Sequence, residues 1–262
     1  MQTRNPNNIR LIDVSHHQGV IDWPKVAADG IKGAFIKATE GVGYTDPRFL
    51  QNAKGAAAAG LQVGFYHYCR PETGNTPAAE AEWFAKSVKG LSAALPYVLD
   101  VEGAASNLGG AKLTQWVQQW LSEVERLTEH RVMIYTGASF AKTYLGKELA
   151  KWPLWIAHYG VNQPMSNPTW ERWSVFQYAS NGAVNGIKGN VDMNEMEVSF
   201  WEECTKPKPV DKPVDNPVDK SAAEKVIAVL GALWTASADK QVQEAAHFAA
   251  NALRDAAGIP RQ

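Results

Sequence analysis

Cysteine is scarce in this sequence, with only Cys69 and Cys204 among 262 residues. Two thiols cannot form the disulfide framework that stabilises small secreted domains, and no cluster of Cys and His has the spacing of a metal site. We therefore expect neither a metal nor a cofactor. Hydrophobic residues make up 45% of the chain, which is enough to bury one large core and leave room for an appendage.

An excess of charge of one sign and a long hydrophobic run are also missing. The 26 Lys and Arg residues nearly balance the 27 Asp and Glu residues, so no basic field predicts binding to nucleic acid or anionic lipid. No segment approaches the ~18 consecutive apolar residues of a membrane span, which argues against membrane insertion. Residues 1–8 lack the apolar core of a signal peptide, so we expect synthesis in the cytoplasm without that signal.

Strands and helices alternate through the first three quarters of the chain. Apolar segments predict about eight strands, at 9–14, 33–38, 62–68, 95–102, 131–135, 154–157, 174–178 and 191–193. The first five are separated by helices, which indicates parallel βαβ units, and about eight strands suggest a closed barrel. Because the last three strands lack full helical crossovers, we predict an α/β fold: an irregular TIM-like (β/α)5β3 barrel with a small C-terminal α-helical module.

Two acids, Asp100 and Glu102, end the apolar segment that follows Pro96. Alternate side chains of a strand share a face, so both acids point the same way with backbones roughly 6–7 Å apart, while Val101 turns into packing. Like charges at this spacing push one carboxyl towards its protonated form. A proton donor beside an anion is the pair that glycoside cleavage uses, although Asp-x-Glu alone also fits two solvated acids at a strand end.

Polar and aromatic residues recur where the predicted strands end. The carboxyl ends of parallel barrel strands form one rim, where barrel enzymes keep their chemistry. We therefore predict a site at this rim that contains Asp13, Tyr66, Asp100, Glu102, Tyr135, Trp155, Gln177 and Asp192. The aromatic and amide members are candidates for lining a sugar groove, but a Tyr or Trp at a strand end is about as often structural.

Three other polar residues near this rim have plainer interpretations. Glycoside cleavage by two carboxyl groups needs no imidazole, so we predict that His67 and His158 are hydrogen-bonded wall residues. For Glu40 we predict an ion-paired or capping acid rather than a catalyst.

Several ordered motifs together resemble glycoside hydrolase family 25, the Chalaropsis-type lysozymes. The resemblance extends over about residues 9–203 and rests on Asp13-Val14-Ser15-His16-His17-Gln18-Gly19, Phe35-Ile36-Lys37-Ala38-Thr39-Glu40-Gly41, Gly64-Phe65-Tyr66-His67-Tyr68, Asp100-Val101-Glu102, Trp155-Ile156-Ala157 and Val191-Asp192-Met193-Asn194. The family has an irregular barrel of the kind that strand counting predicts.

The resemblance implies a reaction and roles for the carboxyl groups. Family members cleave the β-1,4 bond between N-acetylmuramic acid and N-acetylglucosamine in bacterial peptidoglycan, which is therefore the expected partner. Glu102 matches the family's general acid, and Asp100 either attacks the anomeric carbon or braces the substrate's acetamido group while that group attacks. The i,i+2 spacing exceeds the ~5–5.5 Å of a direct nucleophile, which favours substrate assistance. Asp13 and Asp192 match two further family carboxylates, for which we expect roles in pocket charge and substrate orientation.

Two other functions remain open at this point. A chitinase-like hydrolase of 2-acetamido sugars can share a barrel with acids at a strand end, although no longer series of acids leads into Glu102. A barrel that only binds carbohydrate is the second alternative, although such a protein has no use for a proton donor beside an anion.

The composition changes after Cys204. A repeated Pro-Val-Asp motif predicts an extended spacer at 205–220, which separates a barrel domain at 1–204 from a module at 221–262. The two helices predicted in the module make too small a core to be stable alone, so we expect the module to bind the cell wall or to self-associate. The layout resembles bacteriophage endolysins, which implies synthesis in the host cytoplasm, release by a separate pore protein and action on the cell wall.

Overall fold

The computed structural model of the protein describes residues 1–206 and 219–260. They form two compact units, one over Met1–Lys206 and one within Pro207–Gln262. The strands are β1 Ile9–Val14, β2 Gly33–Glu40, β3 Tyr44–Thr45, β4 Gln62–Tyr68, β5 Tyr97–Asp100, β6 Val132–Gly137, β7 Leu154–Ala157, β8 Val175–Gly182 and β9 Val191–Met196. The α-helices are α1 Trp23–Ala28, α2 Phe49–Ala58, α3 Pro77–Val88, α4 Gly110–Thr128, α5 Ala138–Tyr144, α6 Val198–Thr205, α7 Lys220–Ala236 and α8 Lys240–Ala257.

The strands of the first unit close into a barrel, as the alternation of strands and helices predicts. Their order around the axis is β1-β2-β4-β5-β6-β7-β8-β9, and the parallel pairing of β1 with β2 completes the ring. The predicted (β/α)5β3 barrel is therefore confirmed. Two features were not predicted: β3 forms a short hairpin with the end of β2, and β9 runs antiparallel to both β8 and β1. A connection without a helix, over 183–190, returns the chain in the opposite direction.

Alternation along the strands separates an inner core from an outer one. Inward-facing side chains such as Leu11, Phe35 and Val98 fill the barrel, while outward-facing ones such as Phe65 pack against the surrounding helices. The apolar stripe of α4 is buried in this outer layer through Leu113, Trp116, Val117, Trp120, Leu121 and Val124. At the amino-terminal ends of the parallel strands, Phe200 of α6 packs into the inner core and closes the barrel. The opposite end stays open.

The second unit contains the two predicted helices, α7 and α8. Its buried hydrophobic side chains are the alanines Ala223, Ala246 and Ala250, and Ile227, Leu230 and Leu253 are half-buried. Six larger apolar side chains are exposed, namely Val226, Val229, Leu233, Trp234, Val242 and Phe248. No helix in the described ranges is long and apolar enough to cross a membrane. Most of the predicted spacer falls on residues 207–218, which lie outside the described residues.

Candidate active site

The residues predicted from the strand ends meet at the open end of the barrel. Four of them lie two positions beyond an inward-facing core residue, so that the same face of the strand continues to the mouth: Asp13 after Leu11, Asp100 after Val98, Tyr135 after Met133 and Gln177 after Val175. The alternation that fills the core with apolar side chains therefore also directs the polar ones into one pocket.

Asp100 and Glu102 share the inner face, on the side of the mouth formed by β5. Asp100 ends the strand, and Glu102 follows in extended backbone with φ −155° and ψ −174°, which preserves the alternation past the strand end. Between them Val101 is fully buried in the outer core, and its N–H donates a 2.9 Å hydrogen bond to the carbonyl of Tyr135. The backbone that carries both acids is therefore held in place on its outer side.

The electrostatics of this pair favour retention of a proton. Burial raises the pKa of Asp100 well above its usual range, and the neighbouring charge of Glu102 raises it further, while Lys37 opposes the shift. Burial likewise raises the pKa of Glu102, with Lys37 again opposing. Two carboxyl groups that both resist ionisation can supply one proton donor and one anion at the pH where the pair holds a single proton.

A second acid pair, Asp13 and Asp192, lies on the opposite side of the mouth. The two are register partners across the antiparallel strands β1 and β9. Burial raises the pKa of Asp13 to about 8, and the charge of Asp192 contributes in the same direction. Burial also raises the pKa of Asp192, although its hydrogen bond with Asp13 has the opposite effect. Asp192 reaches the rim because β9 begins there, whereas the sequence pattern predicts that a strand ends there.

A hydrogen-bonded network fixes Asp13 beneath the pocket. Its Oδ2 accepts from Gln177 Nε2 at 2.8 Å and from Asn194 Nδ2 at 2.7 Å. Trp155 Nε1 in turn donates to Asn194 Oδ1 at 2.8 Å. The hydroxyl of Tyr135 donates to Gln177 Oε1, also at 2.8 Å. These contacts connect β1, β6, β7, β8 and β9 across the inside of the barrel.

The four residues suggested for the sugar groove fall into two kinds. Trp155 and Gln177 are each 2% exposed, and Trp155 stacks on Phe35 with 4.5 Å between ring centroids. They support the pocket from below and present almost no surface to a sugar. Tyr135 lines the open groove, and Tyr66 is partly exposed at the mouth. The sequence pattern alone could not make this distinction, because it predicts only which face a residue occupies.

An open groove of about 640 Å³ leads away from Glu102. Its walls come from β6, β7 and α5, and they include Tyr135, Phe140, Tyr144, His158 and Tyr159. A larger cavity of about 770 Å³ lies near the amino-terminal ends of β6 and β7 and is lined by Trp152, Trp170 and Phe200. None of the predicted catalytic acids lines this larger cavity, so the groove beside Glu102 is the candidate substrate site.

Three site residues were not singled out from the sequence. Lys37 precedes Ala38 on β2, Asn194 follows Asp192 by two positions on β9, and Tyr159 lies just after β7. Tyr159 donates from its hydroxyl to Gln177 Oε1 at 2.8 Å. Lys37 and Asn194 could have been found by continuing the inward alternation by one step, whereas Tyr159 lies in a loop that has no such signal.

The plainer interpretations of His67 and Glu40 agree with the contacts. His67 faces outward and is fully buried, with Nε2 2.8 Å from Glu80 Oε2 and Nδ1 2.7 Å from Thr39 Oγ1. Glu40 forms ion pairs of 2.7 Å with both Lys37 and Arg70. Within 1–206 and 219–260, no group of three or more His, Cys, Asp or Glu side chains is arranged to hold a metal ion.

Comparisons with known proteins agree with this geometry. The sequence profile described as "Glycosyl hydrolases family 25" matches residues 12–187. "Lysozyme M1" of Streptomyces globisporus is 37% identical over 204 residues, which cover 74% of this chain and 69% of that protein. A bacterial lysozyme from Streptomyces coelicolor matches with a TM-score of 0.69 and 35% identity, covering 76% of this chain and 97% of that one. The CTP1L endolysin matches with a TM-score of 0.68 and 26% identity, covering 86% of this chain and 80% of that one. The chain therefore belongs to glycosyl hydrolase family 25 and is a hydrolase of the lysozyme type.

Proposed function

We propose that this protein is a muramidase that cleaves the β-1,4 bond between N-acetylmuramic acid and N-acetylglucosamine in bacterial peptidoglycan. The observation that carries the proposal is the pair of inward-facing acids, Asp100 and Glu102, whose pKa values are both raised at the open end of the barrel. A proton donor beside an anion is what cleavage of a glycosidic bond requires. Similarity to lysozymes supports peptidoglycan as the substrate.

In this proposal Glu102 is the general acid and base. The larger rise in pKa falls on the more buried Asp100, but we assign the proton of the singly protonated pair to Glu102, because Glu102 and not Asp100 lines the open groove. It donates its proton to the glycosidic oxygen as the bond from that oxygen to C1 of the N-acetylmuramic acid breaks, and the N-acetylglucosamine side leaves as an alcohol. It then takes a proton from the water that attacks C1, which restores the acid for the next turn. Its place in the wall of the open groove gives it access to the scissile bond.

Asp100 assists without attacking C1 itself. Its side chain is only 7% exposed, and its Oδ1 is buried without a hydrogen-bond partner in the described part of the chain. A carboxylate so deep in the pocket is better placed to accept the acetamido N–H of the bound sugar than to reach its anomeric carbon. The acetamido oxygen then forms the bond to C1, which is the substrate-assisted route.

Asp13 and Asp192 shape the charge of the pocket and orient the sugar. Asp13 is held by two amide donors, so it fixes the position of the more exposed Asp192 at the rim. In the same proposal Tyr66 and Tyr135 contact the substrate, since aromatic side chains bind the apolar faces of sugars. Trp155 and Gln177 act as positioning residues beneath them.

The domain organisation extends the proposal to the whole chain. We assign hydrolysis to the barrel and cell-wall binding or self-association to the helical module after the spacer. The exposed apolar side chains of α7 and α8 support a contact role for this module. The similarity to an endolysin supports a lytic enzyme of phage origin that is made in the host cytoplasm and acts on the wall.

The test compares two polymers. Purified cell walls and chitin are incubated with the protein at equal mass, and new reducing ends are counted over time. Release from walls with little release from chitin is the expected result. Preferential release from chitin would instead favour the chitinase-like alternative, and binding without release would favour a barrel that only binds carbohydrate.

A further inference from the structure

Strand β2 carries a bulge beside the active site. Lys37 is paired with Tyr66 of β4, and Thr39 is paired with the next residue, His67, so Ala38 has no partner of its own. In a regular strand, residues three positions apart point to opposite faces. Glu40 is paired with Tyr68, which faces inward like Tyr66, the partner of Lys37. The bulge therefore places Lys37 and Glu40 on the same inner face.

A chain of alternating charges then fixes the direction of Lys37. Its Nζ lies 2.7 Å from Glu40 Oε2, and the other oxygen of Glu40 lies 2.7 Å from Arg70 Nη1. Arg70 is held in turn by Glu72, whose Oε1 lies 2.6 Å from Arg70 Nε. A lysine side chain is otherwise flexible, so this arrangement, with Lys37 only 13% exposed, specifies where its charge lies.

The ammonium group of Lys37 acts on both acids of the catalytic pair. It lies 5.0 Å from the centroid of the Tyr68 ring and favours the ionised forms of Asp100 and Glu102. The other acids near this pair oppose its ionisation, namely Asp13 and Glu40 for Asp100 and Asp192 for Glu102. The phenols of Tyr66, Tyr68, Tyr135 and Tyr159 also face the pair, and because their own pKa values are raised they stay uncharged. Lys37 is therefore the cation that balances the burial of two neighbouring acids.

We propose that Lys37, held on the inner face by the bulge and by Glu40, is a positioning residue whose ammonium group keeps the Asp100–Glu102 pair at a single proton. This inference rests on the proposed function, in which Glu102 must be protonated while Asp100 is an anion. Without the cation, the buried pair holds two protons at mildly acidic pH, and Asp100 can no longer accept the acetamido N–H.

The test is the pH dependence of kcat on purified walls. Lys37→Met keeps the length of the side chain and removes the charge, so both limbs of the bell-shaped profile should move to higher pH by about one unit. On the acid side of the optimum, a shift of one unit lowers kcat by about tenfold, while KM should change little. Lys37→Arg retains the charge and should restore most of the original profile.

Two further variants separate charge from structure. Glu40→Gln removes the anion that opposes Lys37, so the limbs should move the opposite way, to lower pH. Lys25→Met is the matched control, because Lys25 forms a 2.7 Å ion pair with Asp22 at the same i,i+3 spacing but lies on the outside of the barrel, 68% exposed. Its profile should coincide with that of the wild type.

The outcomes distinguish the two proposals. If the wild-type protein releases no reducing ends from walls, the proposed function fails. If the wild type is active and the Lys37→Met profile coincides with it, this inference is overturned. If Lys37→Met does not fold, Lys37→Gln decides, because it removes the charge but keeps a polar side chain beside Glu40, and an unchanged profile in that variant would contradict the role given to Lys37.

Discussion

Asp13 of β1 and Asp192 of β9 are register partners across the barrel seam, and burial together with the charge of Asp192 raises the pKa of Asp13 to about 8. In an unfolded chain the pKa of an aspartate is about 3.9. Between these two values the folded protein binds a proton that the unfolded chain releases. The folded state therefore loses stability as the pH rises from about 4 to about 8.

The first prediction follows from this linkage. Asp13→Asn removes the ionisation but retains an oxygen that can accept from Gln177 and Asn194, so the variant should be more stable than the wild type at pH 8. By the linkage above the gain is at most about 5 kcal/mol at pH 8, and each 1 kcal/mol corresponds to roughly 2–4 °C in melting temperature for a domain of this size. Thermal unfolding at pH 8 and pH 4 checks it, because the gain should vanish at pH 4. An equal gain at both pH values would show that the pKa of Asp13 is not the cause.

The second prediction concerns the role of Asp100, which is tested by changing the substrate and not only by changing the residue. Asp100→Asn should be severely impaired whether Asp100 attacks C1 or braces the acetamido group, so that variant decides nothing. A wall glycan that lacks the acetamido carbonyl next to the scissile bond should bind the wild type and resist cleavage if the route is substrate-assisted. Efficient cleavage of this analogue would instead identify Asp100 as the nucleophile.

The third prediction concerns the support beneath the pocket. Trp155→Phe leaves the buried Asn194 Oδ1 without its 2.8 Å donor, which should cost roughly 1–3 kcal/mol of stability and also lower activity. Trp173→Phe is a matched control, since its indole donates at 2.9 Å to the carbonyl of Gln2, outside the inner core. Urea unfolding should show comparable losses for both variants, and wall hydrolysis should fall only for Trp155→Phe. Equal losses of activity in the two variants would show that Trp155 contributes only to stability.

The barrel and most of its rim could be predicted because two patterns coincide in the sequence. Alternation within strands predicted which face carries Asp13, Asp100 and Glu102, and alternation of strands with helices predicted how the strands close. The sequence does not show the direction of a strand that has no helical crossover, so the antiparallel β9 was missed. Asp192 was still assigned to the correct rim, because either end of a strand can reach the mouth.

Two features could not be predicted from the sequence: the bulge in β2, and which of the rim residues line the groove and which are buried beneath it. The unpaired position of Ala38 depends on the register with β4, which a single sequence does not contain. The burial of Trp155 and Gln177 depends on how deeply each side chain sits, and that is set by Phe35 and Asn194 from other strands. In both cases the deciding contacts join residues far apart in the chain.

The fourth prediction addresses the helical module. A chain that ends at Lys206 retains all of α6 and the complete barrel, so it should fold and cleave soluble wall fragments as fast as the full chain. On intact cells the shortened chain should be less active, because the module would raise the local concentration of enzyme at the wall. Light scattering of both chains checks self-association. A fall in particle mass larger than the mass of the removed residues would indicate that the module forms an oligomer. Equal activity on intact walls would remove the targeting role.

Trp234 and Phe248 offer a finer test of the module in the full chain, because they are 50% and 78% exposed. Replacement of both by alanine should lower wall binding or particle size while catalysis on soluble fragments stays unchanged. If neither property changes, the exposed apolar side chains of α7 and α8 are not the contact surface.

The most direct test of the account is the chemical identity of the new chain end. Purified walls are digested with wild-type protein and with Glu102→Gln, the products are reduced with borohydride and hydrolysed in acid, and the sugar alcohol is identified by mass spectrometry. We expect muramicitol from the wild type and none above background from Glu102→Gln, which keeps the side-chain shape but has no transferable carboxyl proton. Wild-type-like release by Glu102→Gln, or glucosaminitol in place of muramicitol, would contradict it.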